Sequence, residues 1–353
     1  MRAMIPGQRT ARRRSRPARA RVRVKTPPLL FDRTQDVMAR IRPRVKGTFL
    51  SYWMSTSGSV CDNDVMAMHE LLHDLGPQPS ITLFVKSDGG SGMAALRLVH
   101  LLRRYTRRLA VAAPLNCASA ATMLALGADE ILMGPLSFLT AVDTSLEHDL
   151  SPVDHTNNLV AVSNDEVDRV IRLWKEHAGA KGPQGAHPHQ ELYKYLHPLV
   201  VGALDRASSL SLKVCQEILA YHMKDRRKAE RISRRLNYDY PAHQYPISSR
   251  EARNIGLTVR DLDPQLDQLL QELNLVYSEM GQRAITDYDE ENHHDNEITN
   301  ILERRQTQVF YQVEKDWHYR KEERRWVPMN DLSAWYRCRR EKGRLVKTKF
   351  HIR

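Results

Sequence analysis

A chain of 353 residues, 41% hydrophobic and 27% charged, can bury a substantial core as one large domain or two modest ones. No apolar run approaches the roughly 20 residues of a membrane span. No apolar segment marks a secretory signal, and Cys61, Cys117, Cys215 and Cys338 form no CxxC pair. These features point away from a membrane protein, a disulfide frame and a zinc ribbon, and toward a reduced, cytoplasmic protein. The net charge of +12 is uneven: residues 1–28 hold ten Lys and Arg and no acid, leaving about +2 for the remainder.

Residues 1–28 lack a hydrophobic period, close at Pro27-Pro28, and are expected to be a disordered basic tail. Such a tail could contact nucleic acid or anionic lipid through phosphates, or simply be solvated. Gly47 to Met54 reads as a first strand. Val60 to Leu75 has helical spacing and stops at Gly76-Pro77. Ile81 to Val85 is a continuous apolar run, as in a strand buried on both faces. Met93 to Tyr105 is an amphipathic helix with a basic end. Arg108 to Ala113 reads as a strand, Ser119 to Gly127 as a short apolar helix, and Glu130 to Met133 as another strand. This alternation predicts right-handed βαβ units and a parallel sheet. Residues 158–224 are helical in pattern, broken by a loop at 179–186, and residues 225–262 read as helix, turn and the segment Ala252–Val259. After Glu279 the chain turns acidic and polar, then mixes Arg and Lys with Trp317, Trp326 and Trp335. Those aromatics could stack on single-stranded nucleic acid or pack against a partner; packing is the favoured reading.

Two segments carry chemistry. In Leu83 to Gly92 a buried strand breaks at Gly89-Gly90, where backbone can approach a ligand closely. In Asn116 to Gly134 a serine, Ser119, sits among Cys117, Ala118, Ala120 and Ala121 at a helix start. On a parallel sheet both breaks lie at the carboxyl ends of strands, where ligands bind. A hydroxyl there, beside a glycine-lined loop, is how a serine nucleophile meets an oxyanion hole. The alternative reading of Ser119 is a helix N-cap. The glycine loop lacks Gly-x-x-x-x-Gly-Lys, so nucleotide binding is not supported. His187-Pro-His189 and His293-His294-Asp295 have metal-ligand types without motif spacing and are expected in solvated loops. No cofactor or metal is expected.

The Gly-Gly loop followed by Cys117-Ala-Ser-Ala-Ala-Thr-Met-Leu-Ala-Leu-Gly-Ala-Asp-Glu-Ile-Leu-Met-Gly-Pro135 resembles the ClpP/crotonase superfamily. More narrowly it resembles the serine dehydrogenase proteinase family, relatives of ClpP and signal peptide peptidase A. Leu139-Thr-Ala-Val-Asp-Thr144 sits where that family has Leu-Gly-Pro-Val/Ile-Asp-Pro. Ala242-His-Gln-Tyr-Pro-Ile-Ser-Ser-Arg-Glu-Ala-Arg-Asn-Ile-Gly-Leu257 is similar to its closing motif. The resemblance covers roughly residues 45–260 and departs from the family at Asp88, where relatives have proline, and at Thr140-Ala141, which replaces Gly-Pro. An acidic side chain beside an oxyanion hole would oppose developing negative charge if it pointed inward.

The resemblance implies an α/β ClpP/crotonase-like fold, with a parallel sheet of ββα and βαβ units in a domain spanning 29–262. The tail 1–28 and an irregular, charged, Trp-containing extension 263–353 would flank it. It implies a serine-type endopeptidase with a Ser119, Asp143, His243 triad and an oxyanion hole from Gly89, Gly90 and Ala120. His197 and Lys175 remain competing bases and Asp205 a competing carboxylate; Asp143 could instead cap a turn, and His243 could merely fix a loop. The implied substrates are peptides or unfolded proteins, and the implied assembly is a homo-oligomer. One alternative is a catalytically weak ClpP-like scaffold whose tails bind nucleic acid or a partner protein. Another is crotonase-like acyl-CoA chemistry, which would not need Ser119.

Overall fold

The computed structural model describes residues 22–155, 157–177 and 187–352. Residues 1–21 of the expected tail 1–28, and the whole of the expected loop 179–186, lie outside them. Residues 22–30 have no regular structure, but the Lys25 N–H donates to Thr286 Oγ1 at 2.8 Å.

A first helix, α1 (Phe31–Ile41), buries Phe31, Val37, Met38 and Ile41 on one stripe. Strand β1 (Thr48–Met54) follows, then α2 (Asp62–Leu75), which stops where Gly76 takes φ +67° and its N–H caps Leu72 O. The apolar run expected as a buried strand is β2 (Gln78–Lys86). Helix α3 (Gly92–Tyr105) is capped by Ser91, whose hydroxyl accepts from the Ala94 N–H. Next come β3 (Thr106–Ala113), the two-residue β4 (Asn116–Cys117), α4 (Ala120–Leu126) and β5 (Glu130–Met133). Short strands β6 (Phe138–Leu139), β7 (Ser145–Leu146) and β8 (Val162–Ser163) lead into a helical region. It contains α5 (Asn164–His177), α6 (Pro188–Leu192), α7 (Pro198–Leu219), α8 (Arg226–Tyr238) and α9 (Ser249–Asn254). Strand β9 (Val259–Asp261) then pairs with β5, and α10 (Pro264–Met280) crosses back over the sheet.

Strands β9, β5, β3, β2 and β1 lie side by side in that order and run parallel. Alternation along β1 sends Leu50, Tyr52 and Met54 to one core and Phe49 and Trp53 to the other. The first core is closed by α2, α3, α4, α7 and α8, the second by α1 and α10. The α10 stripe Leu266, Leu270, Leu273, Tyr277, Met280 is buried throughout. Each fully buried large side chain contributes about 1.5–3 kcal/mol relative to exposure. The architecture is therefore mixed α/β with helices on both faces, and the parallel units match the expected βαβ pattern.

The C-terminal part differs from the irregular extension expected. Strand β10 (Ala284–Asp287), the long hairpin β11 (Asn292–Arg304) and β12 (Thr307–Arg320), then β13 (Arg325–Asp331), β14 (Ala334–Glu341) and β15 (Arg344–Phe350) form regular antiparallel structure. β11 pairs antiparallel with β1, Leu50 opposite Arg304, so these strands continue the central sheet through β12 and β14 to β15. The physical reason is polar burial. Glu303, Gln308, Asn296 and Gln312 point inward and bond one another or the helices, so the strands are buried without looking apolar. His294, expected in a solvated loop, is buried on β11 and bonded to Asp316 at 2.9 Å. Trp335 packs into the core, while Trp326 is exposed against His293 and Tyr319. Among the described residues all four cysteines are free, and no helix is long and apolar enough to cross a membrane.

Candidate active site

The site forms where β2 and β3 end. After Lys86 the chain makes a loop whose two glycines take φ +114° (Gly89) and +142° (Gly90). Both values favour glycine, and space requires it too. A Cβ on Gly89 would lie 2.6 Å from Ser119 Cβ, and one on Gly90 would lie 2.5 Å from the Val60 backbone. The loop is tied to the serine segment by Ser87 N–H to Asn116 O and Ala118 N–H to Ser87 O, both 3.0 Å. Gly90 bridges Val60, which bonds Gly89 O and the Ser91 N–H. In such a parallel bridge the Gly90 N–H points away from Val60. Gly90 lines the cavity described next, and no hydrogen-bond partner for its N–H is present among the described residues.

Ser119 is held at φ 51°, ψ −118°, an uncommon backbone state for a residue with a side chain. Its side chain makes no capping hydrogen bond to α4, so the N-cap alternative is not what the geometry displays. The half-buried Ser119 instead lines a cavity of about 400 Å³ together with Gly90, Ala120, Asp143 and His243. The Ala120 N–H opens α4 and has no acceptor within its own helix. Met93, Met123, Val142, Leu210 and Val214 supply an apolar wall.

Asp143 and His243 are a hundred residues apart in sequence, and His243 Nδ1 lies 2.8 Å from Asp143 Oδ1. The segment carrying Asp143 is pinned on both sides. The Val142 N–H donates to Leu236 O at 2.9 Å, and Ser211 Oγ donates to Val142 O at 2.9 Å. Leu139 and Ile247 exchange backbone hydrogen bonds at 3.0 and 2.8 Å, drawing the His243 loop alongside. Within that loop Tyr240 and Tyr245 stack with ring centres 5.2 Å apart, and Arg169 donates to Pro241 O at 3.2 Å. The hydrogen bond to Asp143 raises the His243 pKa above its ordinary 6.5, against the opposing effect of partial burial. Asp143 Oδ1 therefore orients the ring and favours its charged form.

The competing groups lie elsewhere. His197 is the exposed N-cap of α7, its Nδ1 accepting from the Leu199 N–H at 3.2 Å. Lys175 is exposed on α5 and Asp205 on α7, and neither lines the cavity. Asp88 is exposed at the cavity rim, where its Oδ1 accepts from Asn116 Nδ2 at 2.5 Å. That bond turns one carboxylate oxygen toward the asparagine. Among the described residues no group of three or more His, Cys, Asp or Glu could hold a metal ion. The structure thus brings together Ser119, Asp143, His243, Gly89, Gly90 and Ala120. It also adds residues that reading along the chain did not select: Thr140, Thr122, Ser211 and the Tyr240–Tyr245 pair. Thr140 left a trace in the sequence as a departure from the resembled motif, and Thr122 and Tyr245 lay inside the resembling segments without being singled out.

No protein-family model and no curated protein matches the chain. Among solved structures, 46 chains match. A serine-to-alanine mutant of the 1510-N membrane-bound stomatin-specific protease aligns at 13% identity and TM-score 0.37, over 68% of this chain and 88% of its own. A ClpP1 mutant from Listeria monocytogenes aligns at 13% identity and TM-score 0.32, over 67% and 99%. A lysine-to-alanine mutant of the stomatin-specific protease in complex with a substrate peptide aligns at 17% identity and TM-score 0.24, over 62% and 94%. Likenesses of this degree are too slight to assign an activity.

Proposed function

We propose that the chain is a serine-type peptidase that forms an acyl-enzyme on Ser119. The observation that carries this reading is Ser119, held in a rare backbone state, sharing a cavity with a hydrogen-bonded His243–Asp143 pair. In the proposed reaction Ser119 Oγ attacks a peptide carbonyl as its proton passes to His243 Nε2. Asp143 holds the Nδ1–H and stabilises the imidazolium. The Gly90 and Ala120 N–H groups bind the oxyanion. The proton then passes to the leaving amine, and water, activated by the same imidazole, hydrolyses the ester. The apolar wall suits a hydrophobic substrate side chain, and the sequence resemblance favours peptides or unfolded proteins as substrates and a homo-oligomeric assembly.

The test is fluorophosphonate labelling read by intact mass. Wild type should gain one adduct and Ser119→Ala none. No adduct on folded wild type would remove the peptidase reading and leave the scaffold reading in its place. The pH dependence tests the base. Labelling requires neutral imidazole, so the rate should rise with pH through a midpoint above 6.5. Asp143→Asn should move that midpoint down and lower the plateau, and His243→Ala should cost about 10²–10⁴-fold. A midpoint unmoved in Asp143→Asn would show that another group is the base.

A further inference from the structure

A ring of polar contacts encircles the Ser119 turn from beneath. The Ser119 N–H donates to Thr140 Oγ1 at 2.8 Å. The Thr140 hydroxyl proton goes to Ala141 O at 3.0 Å, which leaves an oxygen lone pair for Ser119. The Thr140 N–H donates to Thr122 Oγ1 at 3.1 Å, and the Thr122 hydroxyl donates to Cys117 O at 2.7 Å. The chain of bonds starts at Ser119 and returns, through Thr140 and Thr122, to Cys117 O two residues before the serine. Both threonine side chains are buried, and neither lines the cavity.

The Ser119 conformation needs such support. A residue at φ 51°, ψ −118° persists only where its surroundings over-determine it. The Ser119 carbonyl is engaged by the Met123 N–H at 3.0 Å, and Thr140 engages the N–H on the other side. Thr140 also lies three residues before Asp143 on the same segment, whose position is fixed by Leu236 and Ser211. One buried hydroxyl therefore links the turn that carries Ser119 to the segment that carries the partner of His243. It also occupies the Ser119 N–H, so oxyanion binding falls to Gly90 and Ala120.

Resting on the reading of Ser119 as nucleophile, we propose that Thr140, backed by Thr122, is a positioning residue that locks the Ser119 turn and sets its spacing to Asp143. Thr140→Val keeps the shape and removes the acceptor. The experiment measures fluorophosphonate labelling rates of the full chain against probe concentration and pH. Thr140→Val should lower the limiting rate by about 100-fold, the scale of a displacement near 1 Å at a reacting group. The half-saturating probe concentration and the pH midpoint should stay at their wild-type values. Thr140→Ser, which restores the hydroxyl without the methyl, should recover most of the rate. A wild-type rate in Thr140→Val would overturn the proposal, as would equal losses in Thr140→Val and Thr140→Ser, because the hydroxyl alone would then not restore the turn. If Thr140→Val does not fold, Thr122→Val removes the acceptor for the Thr140 N–H and leaves the Ser119 contact chemically intact. It should slow labelling while leaving the pH midpoint unchanged, and a wild-type rate there would overturn the proposal. Absence of an adduct on wild type itself would overturn the reading of Ser119 and this inference with it, an outcome distinct from normal labelling by the Thr140 variants.

Discussion

Gly89→Ala should silence Ser119 while most of the fold survives. The new methyl would sit 2.6 Å from Ser119 Cβ and 3.1 Å from both Ser119 Oγ and Ala118 O. These neighbours belong to a turn already held in place, so relief must come from moving the nucleophile or the oxyanion loop. The φ of +114° adds strain of about 1–3 kcal/mol for any residue with a side chain. Labelling by a fluorophosphonate should fall by at least about 100-fold, with a lowered thermal midpoint. Gly202→Ala is the control. Gly202 lies within α7, and nothing lies within 4 Å of where its Cβ would go. That change should leave labelling intact and stabilise by up to about 1 kcal/mol through helix propensity. Wild-type labelling by Gly89→Ala would show that the glycine loop does not border the reacting atoms.

The second large effect is on stability against pH. Glu303 is fully buried and accepts hydrogen bonds from Thr34, Gln35, Tyr277 and Gln308 at 2.5–2.8 Å. Burial outweighs the four donors and pushes the carboxyl up to about 7, from an ordinary value of 4.5. Below pH 4.5 folded and unfolded chains both hold the proton, and the contribution of this group to stability is at its greatest. Between 4.5 and 7 the unfolded chain has released a proton that the folded chain keeps, so stability falls as pH rises. The loss is complete above 7 and amounts to about 3 kcal/mol. Asp64, buried under Tyr52 and Asn300 and raised to about 6, acts in the same sense over a lower range. Urea unfolding at pH 5, 6.5 and 8 should therefore give decreasing midpoints. Glu303→Gln should be less stable than wild type at pH 5, with the gap narrowing toward pH 8 because an amide does not titrate. Parallel curves for the two proteins would show that Glu303 stays ionised in the fold.

The parts of this molecule that were legible in sequence are those where burial and hydrophobicity coincide. Ile81 to Val85 is apolar because both faces of β2 are covered, and the helix ending at Leu75 is punctuated by Gly76 as expected. Ser119 was visible because small residues crowd it, but its backbone state and its separation from N-cap duty are facts of three dimensions. Asp143 and His243 were named through motif resemblance, and contacts far apart in sequence, the Leu139–Ile247 pairing among them, explain how they meet. Thr140 looked like a lost Gly-Pro, because nothing along the chain connects it to Ser119. The C-terminal strands were obscured by their polar interior. A period of two runs through Thr307 to Val313, yet Gln308 and Gln312 occupy buried positions that the eye assigns to solvent. Turn signals were available at Lys342-Gly343, where both residues take positive φ, but charged neighbours masked them.

The antiparallel pairing of β1 with β11 has a consequence in time. The edge of β1 that β11 covers emerges about 250 residues before its partner. At typical elongation rates this gap lasts roughly 10–50 s. Over that interval Thr48–Met54 presents unpaired backbone and aromatic side chains, a natural template for another chain. Completion of the sheet that supports Ser119 is therefore a late and non-local event, and the nascent protein should depend on chaperone shielding of that edge until β11 arrives.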